Sequence, residues 1–317
     1  MTDKVGVIGL GAMGGGMAAS LRRAGHDVHV FDVRAEVAQR FAADGGTACA
    51  TLAELAEACP VVVSVVVNAA QTEAVLFGEA DGNNATTGGC AAAMRSGSVF
   101  VMCSTVDPSW SAALEQRLAS MGLLYLDAPI SGGAARAASG EITMMTAGSA
   151  AAYARCGPML DAMAAKVYRL GEQAGAGSKV KVINQLLAGV HIAAAAEAMA
   201  LGLREGVDPA ALYEVITHSA GNSWMFENRM PHVLAGDYTP LSAVDIFVKD
   251  LGLVLDLARA SKFPLPLSAA AHQMFMHASS AGFGKEDDSA VIKTFPGIEL
   301  PAAARREEEE DEPKASS

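Results

Sequence analysis

Two lysines, Lys179 and Lys181, stand two residues apart in Gly175–Gln185, GAGSKVKVINQ. A lysine amine works as a general base near neutral pH only when burial or a neighbouring cation lowers its pKa. On a helix the two side chains diverge by about 200°, so only one can face a given site. Lys181 is spaced i,i+3 from Asn184 and i,i+4 from Gln185, which puts an amine and two amides on one face. Lys179 has no such companions and reads as solvent-facing. The Lys181 face suits removal of a hydroxyl proton from a small polar molecule, with an ordinary solvated lysine as the plainer alternative.

A second cluster opens the chain, in KVGVIGLGAMGGGM. Gly9, Gly11 and Gly14 form GxGxxG, with Leu10, Ala12 and Met13 between them, after the β-rich run Val5–Ile8 and at the start of a helical pattern, Ala12–Arg23. Gly9 permits the tight turn, Gly11 lets a pyrophosphate approach the backbone, and Gly14 lets the helix lie close. Asp32 ends the next strand, 18 residues after Gly14. A carboxylate there accepts hydrogen bonds from the adenosine ribose and repels a 2′-phosphate. The expectation is a bound dinucleotide, NAD rather than NADP, although Arg34 nearby keeps a 2′-phosphate open and a bare strand–helix turn would need the same glycines.

Other strand ends carry polar groups toward the crevice of an open α/β sheet. Ser131-Gly132-Gly133 offers a hydroxyl and unobstructed backbone N–H groups, which suit a carboxylate, or else a loop that needs glycine flexibility. Val67 and Asn68 are expected to line the cofactor groove, and Ser104-Thr105 ends another strand. Asn222, Ser223 and Asn228 would make a substrate pocket polar, with Trp224 and Phe226 as its walls or as anchors of the helical part. None of the seven histidines forms HExxH or clusters with cysteine, so no metal site is expected.

The elements that must position these groups are legible in outline. Val5–Ile8, His29–Phe31, Val61–Val67, Val99–Met102, Tyr125–Leu126 and Ile142–Met145 read as strands, alternating with helical segments such as Ala35–Ala43 and Leu52–Ala58. Such alternation predicts an α/β fold with a doubly wound parallel sheet of Rossmann type. After Gly171 the pattern is helical throughout: an alanine-rich stretch from Ser178 to about Arg204, a helix started by Asp208-Pro209, then Leu241–Ser261 and Pro266–Ala281. The expected domains are 1–174 for the cofactor and an all-α 175–300 for substrate and oligomerisation, joined through the long helix. Residues 301–317, rich in glutamate, read as a disordered tail.

An apolar share of 51% excludes a disordered chain, and a net charge of −12 disfavours nucleic acid or an anionic membrane as partner. Five cysteines without CxxC read as reduced thiols of a cytoplasmic protein, and MTDKVGVIGLG is not a signal peptide. Glu197 and scattered glycines are expected to interrupt apolar stretches short of a membrane span. The long helix should leave an apolar stripe, which implies a homodimer or homotetramer.

Taken together, the motifs resemble the β-hydroxyacid dehydrogenase family, which includes 3-hydroxyisobutyrate dehydrogenases and tartronate semialdehyde reductases. Gly9-Leu10-Gly11-Ala12-Met13-Gly14 is similar to its cofactor signature, and Asp127–Gly133 (DAPISGG) with Gly140 to its substrate motif. Gly175–Gln185 resembles its catalytic helix and Lys249-Asp250-Leu251 a late motif. The resemblance spans about residues 4 to 295, and in Gly221–Leu234 (GNSWMFENRMPHVL) it favours the branch that acts on L-threonate. It implies Lys181 as catalytic lysine, Asn184 and Ser131–Gly133 at the substrate, Thr105 beside the nicotinamide, and Lys249 on the cofactor. Asp32-Val33 stands where NADP-using members carry Asn-Arg. The implied reaction is NAD-dependent oxidation of a small hydroxylated carboxylate, L-threonate first, with 3-hydroxyisobutyrate or tartronate semialdehyde as alternative substrates. A non-catalytic nucleotide-binding protein is the rival from another class, and the retained Lys181 counts against it.

Overall fold

A computed structural model of the chain describes residues 4–80 and 86–302. Residues 81–85 of the polar segment Glu79–Ala92 and 303–317 of the acidic tail lie outside the described residues. Two compact units emerge, Met1–Leu187 with Lys249–Leu265, and Ala188–Val248 with Pro266–Ser317. The first unit therefore runs past the 174/175 boundary expected from sequence, into the long helix, and takes in part of a later one.

In the first unit the chain runs β1 (Lys4–Ile8), α1 (Gly14–Arg23), β2 (Asp27–Phe31), α2 (Ala35–Ala43), β3 (Thr47–Ala48), α3 (Leu52–Ala58), β4 (Val61–Ser64) and α4 (Ala69–Phe77). A short ribbon, β5 (Glu79–Ala80) and β6 (Thr86–Thr87), precedes β7 (Val99–Met102) and α5 (Pro108–Ser120). Next come β8 (Leu124–Asp127), β9 (Ile130–Ser131), α6 (Gly133–Ser139), β10 (Ile142–Gly148), α7 (Ala150–Met163), β11 (Ala164–Arg169) and the start of α8 (Ala176–Arg204). The main sheet has the order β11-β10-β8-β7-β4-β1-β2-β3. From β3 to β8 every pairing is parallel, as the strand–helix alternation predicts. At β10 the direction reverses against β8, and β11 then runs parallel to β10.

Both faces of this sheet are covered. Val61, Val63, Val99 and Val101 enter one core with Met17 and Leu21, while Val62, Phe100 and Met102 enter the other with Leu55 and Leu118. Side chains alternate across a strand, so an all-apolar run such as VVV requires helices on both sides. The run expected to extend to Val67 ends as a strand at Ser64. Val65–Val67 instead turn off to wall a groove, starting where the Val65 N–H donates to the Ile8 carbonyl at 2.8 Å.

Helix α8 has 29 residues and is long and apolar enough, by length and composition alone, to cross a membrane, its most apolar 18-residue stretch having mean hydropathy 1.7. The expectation that Glu197 and glycines break every such stretch is corrected on this point: the helix continues through them. In the second unit follow α9 (Pro209–Thr217), α10 (Trp224–Ala235), α11 (Val244–Ser261), whose later part belongs to the first unit, and α12 (Pro266–Ala278). Asp208 caps α9 as expected, its side chain accepting from the Ala211 N–H at 2.8 Å. Arg229 on α10 donates twice to Asp288, at 2.5 and 3.0 Å, and both side chains are buried.

Removing one partner of a buried pair strands the other charge, whereas an exposed pair contributes little. Arg229→Leu is therefore expected to lower unfolding stability by about 3–5 kcal/mol in urea denaturation. Lys4→Ala, at the half-exposed Lys4–Asp27 pair, should change it by less than about 1 kcal/mol.

Candidate active site

The glycine loop has a distinct requirement at each position. Gly9 sits at φ +88°, and its N–H donates to the Phe31 carbonyl at 2.9 Å. A Cβ on Gly14 would fall 1.8 Å from the Gly9 carbonyl oxygen, so Gly14 lets the helix close on its own loop more than on the sheet. Around Gly11 nothing lies within 4 Å of a built Cβ, and that open side faces a groove of about 760 Å³. The groove is lined by Gly9, Gly11, Asp32, Arg34, Val65 and Val67, among others. Helix α1 has neither a capping side chain nor an acidic residue in its first turn, which leaves backbone N–H groups for an anion.

Asp32 is buried and ties this loop to the end of β2. Its Oδ2 accepts from the Leu10 N–H at 2.8 Å, and its Oδ1 from the Arg34 N–H at 3.0 Å and Arg34 Nε at 3.3 Å. Burial alone would raise its pKa, but the Arg34 and Leu10 N–H groups and the Arg34 guanidinium hold it below the usual carboxylate range. A carboxylate has about four acceptor positions, so lone pairs remain for ribose hydroxyls.

Lys181 lies on the buried face of α8 and donates from Nζ to Gln185 Oε1 at 2.7 Å. The same oxygen accepts from Asn184 Nδ2 at 3.1 Å, and Gln185 Nε2 donates to Asp250 Oδ2 at 2.6 Å. Because a carboxylate only accepts, Asp250 fixes the amide with its oxygen toward the lysine. Lys249 Nζ lies 2.5 Å from Asp250 Oδ1, as an ion pair outside hydrogen-bond angles, and donates to the Thr105 carbonyl at 3.0 Å. Burial pulls the Lys181 pKa down to about 8; the Asp250 charge opposes that shift and the Lys249 charge adds to it. Lys179 is exposed, as expected.

Asp127, at the end of β8, holds the start of this helix. Its Oδ2 accepts from the Gly175 and Ser178 N–H groups at 2.8 and 2.9 Å, and its Oδ1 from Ser178 Oγ at 2.6 Å. Burial raises the Asp127 pKa despite those bonds. A Cβ on Gly177 would meet the Met145 carbonyl oxygen at 2.3 Å, so only glycine lets the helix seat this deeply. Four residues after Asp127 comes Ser131, then Gly132 and Gly133 at φ +138° and +76°.

Comparison with known proteins agrees with this geometry. Residues 4–171 match the family model described as the NAD binding domain of 6-phosphogluconate dehydrogenase. Residues 175–295 match the one described as NAD-binding of NADP-dependent 3-hydroxyisobutyrate dehydrogenase. An L-threonate dehydrogenase of Cupriavidus necator is 70% identical over 304 residues, covering 96% of this chain and 100% of that protein. The chain belongs to the 3-hydroxyisobutyrate dehydrogenase family. An L-threonate dehydrogenase of Escherichia coli K12 is 51% identical, over 94% of this chain and 97% of its own length. The crystal structure of a 3-hydroxyisobutyrate dehydrogenase from Salmonella typhimurium superposes with a TM-score of 0.87 at 52% identity, covering 92% of this chain and 100% of that one. This dehydrogenase is thus an NAD(P)-dependent hydroxyacid oxidoreductase with a Rossmann domain followed by helices.

Within the dehydrogenase, Lys181, Asn184, Lys249 and the Thr105 carbonyl meet in one cluster joined by hydrogen bonds and the Lys249–Asp250 ion pair. Gln185, already expected on the Lys181 face, and Asp250 of the Lys249-Asp250-Leu251 motif complete it. Val67 lines the groove, whereas Asn68 caps α4, its Oδ1 accepting from the Gln71 N–H at 2.8 Å. The three residues expected to make a pocket polar have local partners. Ser223 caps α10, Asn222 donates to the Thr217 carbonyl and to Glu227, and Asn228 accepts from Arg229. Asn228 and Trp224 also border a cleft with Tyr213, His218 and Glu227, while Phe226 is buried against Tyr213.

Gly14→Ala forces the loop carbonyl out of place. Fluorescence titration with NADH is expected to show affinity reduced by at least about tenfold, a loss of roughly 1.4 kcal/mol, while Gly11→Ala, with open space for its methyl group, blocks only the ligand side.

Proposed function

We propose that the dehydrogenase oxidises L-threonate at C2 to the 2-oxo acid, 2-dehydro-L-erythronate, with NAD. The reaction type is carried by one observation: a buried lysine with its pKa drawn to about 8, fastened to an amide that only accepts from it. The substrate rests on relatives named L-threonate dehydrogenase at 51–70% identity over nearly the whole chain. A second reading, 3-hydroxyisobutyrate, is favoured by the name of the Salmonella structure at 52% identity.

Gly9–Gly14, with Leu10, Ala12 and Met13, would hold the pyrophosphate, Asp32 the adenosine ribose, and Val67, Asn68, Thr105 and Lys249 the remaining length of NAD. A bound nicotinamide would supply the hydride acceptor for the substrate's carbinol carbon. Ser131 Oγ with the Gly132 and Gly133 N–H groups receives the substrate carboxylate, and Asn184 a hydroxyl or carboxylate oxygen. Neutral Lys181 takes the hydroxyl proton at Nζ. Since Gln185 Oε1 occupies only an N–H of that amine, the lone pair stays free for the proton. Asp32, held ionised and followed by Val33, supports NAD over NADP, because its charge would repel a 2′-phosphate.

An exposed apolar stripe on α8, Val180, Ile183, Leu187 and Leu201, supports assembly as a homodimer or homotetramer. Five buried, unpaired cysteines accord with a cytoplasmic setting. Cofactor binding is assigned to 1–174, and substrate binding with oligomerisation to the helical 175–300.

Lys181→Ala should reduce kcat for L-threonate by about 10²–10⁴-fold. In the unaltered enzyme kcat/KM for oxidation should rise with pH and level off above about 8, where the amine is neutral. Gln185→Glu places a negative charge on the amine and should move that limb up, while Asp250→Asn removes the opposing charge and should move it down. Full activity of Lys181→Ala, or faster turnover of 3-hydroxyisobutyrate than of L-threonate, would reject the respective half of this assignment.

A further inference from the structure

The run GGGM continues past the glycines of GxGxxG, and its third glycine is not needed by the loop. A Cβ on Gly16 would lie 2.6 Å from the Ala138 nitrogen and 2.7 Å from the Ala137 carbonyl carbon, so glycine here admits the backbone of α6 against α1. One turn on, Ser20 Oγ donates to the Ala137 carbonyl at 3.1 Å and accepts from Arg23 Nη2 at 2.7 Å. Arg23 Nη2 also donates to the Ala138 carbonyl at 2.5 Å.

Helix α6 has little of its own to hold it. Seven residues are too few for an independent helix, Gly132 at its N-cap brings no side chain, and Gly140 ends it at φ +79°. The Arg136 carbonyl accepts from the Gly140 and Glu141 N–H groups, whereas those of Ala137 and Ala138 take their partners from α1. An arginine beside them is also the charge that a helix C-terminus favours. At the other end α6 continues directly into Ser131-Gly132-Gly133, whose two glycines hold positive φ with no side chain to fix them.

We propose that Ser20 and Arg23 are positioning residues for the Ser131–Gly133 loop, fastening it through α6 to the helix that begins at the cofactor loop. This rests on the reading of Ser131–Gly133 as the substrate's carboxylate site. Neither side chain touches cofactor or substrate. They set where the loop stands relative to α1, so that one helix registers both binding sites.

Steady-state kinetics with L-threonate and NAD, together with NADH fluorescence titration, tests this in Ser20→Ala, Arg23→Ala and Arg23→Lys. Coupling through packed elements is worth about 0.5–2 kcal/mol, so KM for L-threonate should rise about 2- to 30-fold in both alanine variants. The account requires kcat and NADH affinity to stay within about twofold, and Arg23→Lys, which keeps a donor and the charge, to recover most of the loss. Should Arg23→Ala fail to fold, Ser20→Ala carries the same requirement. An unchanged KM, or KM, kcat and NADH affinity worsening together, overturns the proposal. Ser131→Ala separates the two readings. If its own KM is unchanged, the carboxylate site is misassigned; if its KM rises while the Ser20 and Arg23 variants stay at the wild-type value, the positioning role alone fails.

Discussion

An ammonium group removed from water is the constraint on which the rest of this site depends. Burying a lysine is unfavourable for its charged form, and the protein can tolerate it only by pairing the amine or by neutralising it. Here both happen in part. Gln185 supplies a neutral acceptor at 2.7 Å, and Asp250 stands one residue further out, its charge passed on through the amide instead of being placed on the amine. A carboxylate in direct contact would have kept the lysine protonated. The intervening amide leaves the pKa near 8, within reach of a base that must work around neutrality.

That arrangement dictates much of the surrounding packing. Lys181 reaches its place only because α8 starts deep against the end of β8 and the middle of β10, with Gly177 against the Met145 carbonyl and Asp127 satisfying the first N–H groups. Asp127 therefore serves the catalytic helix, although in sequence it belongs to the DAPISGG segment that leads to the substrate loop. At the cofactor end the logic repeats: Asp32 braces the glycine loop through the Leu10 N–H before it meets any ligand. In each case a buried carboxylate at a strand end orients a helix start, which keeps the geometry in place at the cost of one desolvated charge.

Much of this was legible in the sequence because it is local. GxGxxG, the i,i+3 and i,i+4 spacing around Lys181, and the alternation of VVV runs with helices each declare themselves within a dozen residues. What escaped depends on partners far along the chain. Gln185 and Asp250 are 65 residues apart, and nothing in either segment announces the bond between them. The strand β11, AAKVYR, is an edge strand with exposed Lys166 and Arg169, so it lacks the apolar pattern that identified its neighbours. Asn68 follows a strand, and a helix begins right after it, so its Oδ1 also caps that helix. Ser223 caps the helix that follows it in the same way. The third glycine of GGGM carried a signal whose cause, the approach of α6, lies more than a hundred residues downstream.

The protonation state of Lys181 is the central quantity, and NMR titration of the enzyme carrying ¹³C-labelled lysine, with Lys181→Arg to assign the resonance, reads it directly. The account predicts that the Lys181 ε-carbon titrates near 8. A titration near 10.5, the ordinary value for a solvated lysine, would contradict it.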